Sequence, residues 1–372
     1  MFARSDKSLL ARWWWSVDHT LFLSFFILMF FGVFLTMSGS PAVAERLHLD
    51  SFYFVQRHLI LLVPTIGAMM FLSLLSRPNL QLAAFSLLGV VTLLLIITPI
   101  FGQSIKGAKR WLNIYGFSIQ ASEFLKPAYC LVNAWILTRI LQNKQEFASW
   151  KLNLALYVFF VSLLVLQPDL GMIIVLTSIW FVQLFIAGVS MRLIAAVGAS
   201  GILGLICAYF FLPHVTDRMN KFFFSTGDKY GASYQIEKSL NAFKNGGLWG
   251  TGPGEGILKK YLPDAHADFI FSVAGEEFGW IVCAIIVVVF MTIFFTAFKK
   301  LMSSQDHFAI LAGTGLVASF SLQALVNMGS SLNLIPTKGM TLPFLSYGGS
   351  SLIALGIHTG FILALTRKQD RI

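Results

Sequence analysis

The sequence predicts an all-α polytopic membrane protein with about ten transmembrane helices, both termini cytoplasmic, and one long outer loop between spans seven and eight. Three observations carry that expectation. Of 372 residues, 56% are hydrophobic and only 12% are charged, about half the charged share of a soluble domain. The mean hydropathy is +0.75. About ten apolar runs approach or exceed the roughly 20 residues that cross a hydrocarbon layer.

In order, the runs lie near 20–37, 57–75, 80–100, 120–140, 152–167, 170–188, 192–212, 269–297, 307–329 and 345–366. The first lacks a small-residue cleavage site and is followed by further spans, so it is expected to remain as a span. Residues 1–19 and 367–372 are then short tails on a single domain, 20–366. With the N-terminus inside, cytoplasmic segments hold Arg4, Lys7, Arg12, Arg77, Arg139, Lys144, Lys151, Arg192, Lys299, Lys300, Arg367, Lys368 and Arg371. The outer side, its long loop set aside, holds fewer than half as many: Arg46, Arg57, Lys106, Lys109, Arg110 and Lys338. That asymmetry sets the orientation and accounts for much of the net charge of +10, so no nucleic acid is implied. Cys130, Cys207 and Cys283 fall in apolar spans without metal-ligand spacing and read as small core residues.

The inner connections are short, which excludes a catalytic or nucleotide-binding domain on that side. The outer loop runs from about Pro213 to Ala267. Within it, Ile236, Leu240 and Phe243 share a helical face, and Asn245-Gly246-Gly247 is a stop signal, predicting an amphipathic helix at the outer interface. The following glycine-rich run, Gly246 to Gly256, has no preceding strand and reads as mobile or tightly turned loop rather than a nucleotide cradle.

Polar residues gather at the outer ends of the spans, where ionised groups are costly enough to suggest function. They are Arg57, Lys109, Arg110, Glu123, Lys126, Asp169 and Asp268, with the run Ser346 to Ser351 beside the last span. Glu123 and Lys126 stand at i and i+3 and can pair; either a structural ion pair or a phosphate contact follows. Asp169, after Pro168, suits a helix cap, as do the serines. Arg57 and Arg110 fit interfacial snorkelling when taken singly, and an anion site when taken together. In Pro263-Asp-Ala-His-Ala-Asp268, Asp264 suits a cap, and Asp268, one turn further in, is the best-placed base. His266 alone is a weak metal ligand. Glu276 and Glu277, about two turns beyond and roughly 12–14 Å deeper, are expected to make buried structural hydrogen bonds.

Gly107-Ala-Lys-Arg-Trp-Leu112, Ser122-Glu-Phe-Leu-Lys-Pro127, Gln167-Pro-Asp-Leu-Gly171, Asn245-Gly-Gly-Leu-Trp-Gly250, Pro263 to Phe271 and Leu342-Pro-Phe-Leu-Ser-Tyr-Gly-Gly-Ser-Ser351 together resemble the SEDS family of polytopic membrane proteins. The resemblance runs from about Leu21 to the C-terminus. Ser40–Glu45 and Pro336–Phe344 look like the cell-division branch rather than the elongation branch. It implies a peptidoglycan glycosyltransferase that polymerises lipid II at the outer face of a bacterial inner membrane, at the division septum. It also implies partners: a class B penicillin-binding transpeptidase and other divisome membrane proteins. The family's catalytic aspartate maps onto Asp268, and its substrate-binding positions onto Arg57, Lys109, Arg110, Glu123, Lys126 and Asp169. A divalent cation, Mg2+ or Mn2+, is a possible cofactor. Two positions depart from the family pattern: Ala121, often Pro, and Ala267, often Thr, which removes a hydroxyl beside the expected base.

Two other functions fit ten spans with polar residues. A lipid II flippase calls for a polar path through both leaflets and helices broken near the midplane, whereas here the inner half is largely apolar. A non-enzymatic scaffold recruiting the transpeptidase needs no base at Asp268.

Overall fold

The computed structural model describes residues 8–105, 108–114, 116–142, 147–211, 216, 220, 232–262, 264–336 and 339–368. Parts of the expected outer loop, Pro263 and the outer Lys338 lie outside the described residues. A short helix α1 (Leu9–Ser16) precedes three long ones, α2 (His19–Arg46), α3 (Tyr53–Leu74) and α4 (Arg77–Phe101). Strands β1 (Gln103–Ile105), β2 (Ala108–Ile114) and β3 (Phe117–Ile119) follow, then α5 (Ala121–Gln142), α6 (Phe147–Leu166), α7 (Leu170–Ile186) and α8 (Met191–Phe211). The chain resumes with α9 (Ala232–Gly246), a 3-10 turn (Leu258–Tyr261), α10 (Ile270–Met302), α11 (His307–Ser331) and α12 (Ser350–Thr366).

Ten of these helices coincide with the ten apolar runs. Among the described residues six are long and apolar enough to cross a membrane unaided, and α7 and α12 are shorter apolar helices. The chain is a helical polytopic membrane protein. Successive crossings alternate, because both ends of the described chain meet at one pole. There the Trp13 indole donates to Ser73 Oγ at 2.9 Å, Lys300 pairs with Asp18, Arg77 pairs with Asp306, and the Lys368 amide donates to the Ser16 carbonyl at 3.0 Å.

Prolines and glycines shape the packing. Pro99 cannot donate to the carbonyl of Leu95 four residues back, and the Gln167 side chain supplies the missing donor at 3.0 Å. Thus the α6–α7 turn is fastened to α4. On α12, Gly356 and Gly360 face α3 so closely that a Cβ at Gly356 would lie 2.3 Å from the Thr65 carbonyl oxygen. Small residues one turn apart let the two backbones meet.

Two expectations change at the opposite pole, and the structure decides between two readings of the glycine-rich run. The segment after α4 is an antiparallel meander, β1-β2-β3, with Ser104 opposite Lys109 and Asn113 opposite Ser118. The amphipathic α9 is present, but its apolar face is buried on protein: Ile236 and Phe243 are core residues, and Ser239 Oγ lies 2.6 Å from both Ser272 Oγ and the Ser331 carbonyl. The glycine-rich run is tightly turned rather than mobile, because it fills a break in α10. At Gly279 (φ 75°) the helix is interrupted, and the loop supplies the missing partners: the Thr251 and Gly252 amides donate to the Glu276 and Glu277 carbonyls, both at 3.0 Å, and the Gly247 carbonyl accepts from Trp280 at 3.0 Å. A Cβ at Gly250, where φ is +82°, would lie 2.1 Å from the Glu277 carbonyl oxygen.

The break also revises the depth of the two glutamates. Counting outward from Lys299, about 20 residues, one hydrocarbon thickness at about 1.5 Å each, end at Gly279. Glu276 and Glu277 therefore lie at the membrane boundary under the loop, rather than two turns inside it. The break is plugged by the chain's own backbone and opens no path between leaflets.

Candidate functional site

The centre of the site pole is the segment 339–351, which binds the ends of several helices. Ser346 Oγ donates to the Ala267 carbonyl at 2.6 Å, and the Tyr347 amide donates to the His266 carbonyl at 2.9 Å. The Asn327 side-chain amide bridges the Asp268 carbonyl at 2.9 Å and the Met340 carbonyl at 2.6 Å. These bonds hold Asp268 in a turn two residues ahead of α10, not within its first turns. The helix cap is Phe269, without a side-chain bond, so Asp264 does not cap α10; its main-chain carbonyl accepts from the Ala267 amide at 3.0 Å. The Asp268 side chain is half-buried and faces Gly339.

Arg57 reaches the same segment from α3. It is exposed, lies 4.9 Å from the Tyr53 ring centroid and donates a hydrogen bond to the Tyr347 hydroxyl. Tyr347 packs on Phe54 and His266. Burial pushes the Tyr347 phenol up, with Arg57 opposing, and burial holds the His266 imidazole down to about 4, with Asp264 opposing. His266 is buried between the Phe54 and Tyr347 rings, and among the described residues no group of three metal-ligating side chains includes it, which leaves the ligand role weighed from sequence without support.

Glu123 and Lys126 form the expected pair at 2.7 Å, both nearly inaccessible. Lys126 also donates to Gln323 Oε1 at 2.5 Å, and Ser351 Oγ donates to Glu123 at 3.2 Å. Gln323 in turn donates to the Thr341 carbonyl at 3.0 Å. Asp169 caps α7 by accepting from the Met172 amide at 3.3 Å and receives Ser122 and Gln120 at 3.5 and 3.4 Å. Burial pushes its carboxyl up, with Arg110, 3.9 Å away, opposing. Arg110 grips the Gln167 and Pro168 carbonyls, so it clamps this turn instead of snorkelling. Lys109, on the other face of the same strand, is exposed, and its side chain makes no hydrogen bond or ion pair among the described residues.

The structure thus joins Arg57, Asp268, Glu123 and Lys126 through one segment, ties Asp169 and Arg110 to it through Gln120 and Ser350, and leaves Lys109 apart. The serines are linkers rather than caps of α12, whose cap is Gly349 without a side-chain bond. Gln323 and Asn327 were missed by the sequence reading. Their signal was two amides at i and i+4 in an otherwise apolar span. Among the described residues no three His, Cys, Asp or Glu side chains gather as a metal-holding group.

Glu276 and Glu277 follow the structural expectation. Glu276 accepts from Ile257, Leu258 and Lys259 amides at 2.9, 3.0 and 3.3 Å and from the Asn245 side chain at 3.1 Å. Glu277 pairs with Lys259 at 2.5 Å and accepts from the Gly254 amide at 2.8 Å and from Ser38.

A family profile described as "Cell cycle protein", covering FtsW, RodA and SpoVE, matches residues 18–371. The chain belongs to this family. A Caulobacter vibrioides protein named probable peptidoglycan glycosyltransferase FtsW is 37% identical over 370 residues, 99% of this chain and 94% of its own. An Escherichia coli protein of the same name is 33% identical, over 94% of this chain and 85% of its own. Among solved structures, one described as "Structural coordination of polymerization and crosslinking by a peptidoglycan synthase complex" superposes with TM-score 0.78 at 25% identity, covering 95% of this chain and 99% of that one. The Thermus thermophilus rod shape determining protein RodA superposes with TM-score 0.68 at 25% identity, over 96% and 99%. Within the FtsW/RodA/SpoVE family, the FtsW name of these curated relatives agrees with the division-branch reading.

Proposed function

We propose that this chain is a peptidoglycan glycosyltransferase that polymerises lipid II into glycan strands, with Asp268 as its general base. Family membership and the names of its relatives support the enzyme class. The observation that carries the site is the convergence of Asp268 and Arg57 on one segment, 339–351, at the pole opposite the termini. With the basic pole cytoplasmic, this site faces the periplasm, where no nucleotide sugar or ATP is at hand. A donor there must bring its own leaving group, and a polyprenyl pyrophosphate does.

In the reaction the Asp268 carboxylate takes the proton of an acceptor sugar hydroxyl. That oxygen forms a bond to the anomeric carbon of the donor, and the bond from this carbon to the pyrophosphate breaks, its electron pair leaving with the lipid. Single displacement inverts the centre, turning an α-linked donor into a β-linked glycan. Arg57, which reaches the 339–351 segment and has no carboxylate partner among the described residues, is best placed to meet the pyrophosphate charge; Lys109, on the outer face of β2, stands apart from it. Lys126 and Arg110 are already engaged, so their part is to hold α5 and the α6–α7 turn in place. The partner is a transpeptidase that crosslinks the strands at the septum, in line with the synthase complex that the fold matches.

The test is polymerisation of labelled lipid II by the purified protein, alone and with transpeptidase, read as strand length on a gel. Wild type should give long strands and Asp268→Asn none. Labelled lipid II crossing a reconstituted bilayer without polymerisation would instead favour transport.

A further inference from the structure

At the basic pole, far from the proposed active site, a cavity of about 300 Å³ opens between α4, α5 and α11. Two arginines enter it, each fixed on a ring. Arg139 lies over Trp135 at 3.9 Å from the ring centroid, and Arg77 lies over Phe308 at 5.3 Å. Gln81 and Gln142 add amides to the wall. Arg77 is paired with Asp306, whereas Arg139 has no carboxylate partner among the described residues. Among the described residues the lining thus carries one positive charge without a carboxylate partner, on a guanidinium 3.9 Å from the Trp135 ring centroid, a group suited to two-point bonding to an oxyanion.

What borders the cavity indicates the source of the anion. Phe85, one turn along α4 from Gln81, packs edge-on against Trp135 at 5.1 Å and is 40% exposed, next to Leu82 at 67% and, on α5, Leu141 at 37%. In a membrane-spanning chain, that exposed face meets acyl chains. A soluble anion would have no use for it.

We propose that this cavity binds the phosphate of an anionic phospholipid in the leaflet at the basic pole, with the acyl chains along Leu82 and Phe85. The site joins the ends of α5 and α11, whose other ends carry Lys126 and Gln323, so an occupied cavity braces the two helices that frame the substrate region.

The test uses the full chain in a neutral detergent, titrated with phosphatidylglycerol, phosphatidylcholine or inorganic phosphate, with bound lipid counted by native mass spectrometry and Tm read in parallel. Phosphatidylglycerol should bind at one saturable site and raise Tm, and the other two should not. Arg139→Gln should weaken that binding about tenfold, Arg139→Lys should recover part of it, and Arg192→Gln, a basic position outside the cavity, should leave it unchanged. Gln81→Ala, which leaves every charge in place, should weaken it by a smaller factor and keeps the test open if the arginine variants do not fold. Equal stabilisation by inorganic phosphate would overturn the lipid assignment, and undiminished phosphatidylglycerol binding by folded Arg139→Gln would overturn the site.

Discussion

Two lysine–glutamate pairs lie buried at the site pole, Lys126–Glu123 and Lys259–Glu277, almost equally hidden from solvent. They differ in what completes their hydrogen bonds. The second is closed mainly by main chain: the Gly254 amide binds Glu277 beside the Ser38 hydroxyl, the Lys259 ammonium reaches the Ser38 and Gly254 carbonyls, and three amides with the Asn245 side chain satisfy Glu276. The first is completed by side chains, Gln323 and Ser351, which can rotate away. Depth therefore does not separate a structural charge from one near chemistry. The identity of the partners does, because backbone donors at a plugged helix break cannot be exchanged for a substrate.

The largest effect should come from breaking the closed pair. Lys259→Met leaves Glu277 buried without its counter-charge and should cost about 3–5 kcal/mol, measured by thermal unfolding in detergent, with Lys259→Met/Glu277→Leu recovering much of it. Next, Lys126→Met should slow polymerisation about tenfold to a hundredfold through displacement of α5, with Lys126→Arg intermediate, read as rate per folded molecule. Gly250→Ala should destabilise by about 1–3 kcal/mol, since it combines a positive φ with the contact against Glu277; the reading is Tm.

The effect that is smallest near neutrality concerns pH. His266 titrates near 4 in the folded protein against about 6.5 unfolded. Between those values the unfolded chain binds more protons, so stability is full above about 6.5 and declines as pH falls toward 4. His266→Phe, which keeps the stack on Phe54 and Tyr347, should flatten the dependence of Tm over that window.

The ten crossings were legible because apolar length is a local property of the chain. So were the Asp169 cap and the Glu123–Lys126 pair, each set by a spacing of three residues. What escaped was non-local. Nothing near Gly246 announces that its loop enters a break 33 residues further on, and Asp264 resembled a cap only until Asn327 and Ser346, from other elements, held the turn open beyond it. The meander was hidden for a different reason. Its strands are too short and polar for a clear alternating pattern, so nothing in the sequence separates Lys109 from Arg110, its neighbour on β2, although the two occupy opposite faces.

The most direct test sets Asp268→Asn beside Glu277→Gln, each assayed for lipid II polymerisation per folded molecule well below its own Tm. Asp268→Asn should lose about a hundredfold or more of the rate with an unchanged Tm, while Glu277→Gln should melt earlier and keep its rate. Long strands from a folded Asp268→Asn protein, or a fully folded Glu277→Gln protein that makes none, would contradict the division between a base and a structural pair.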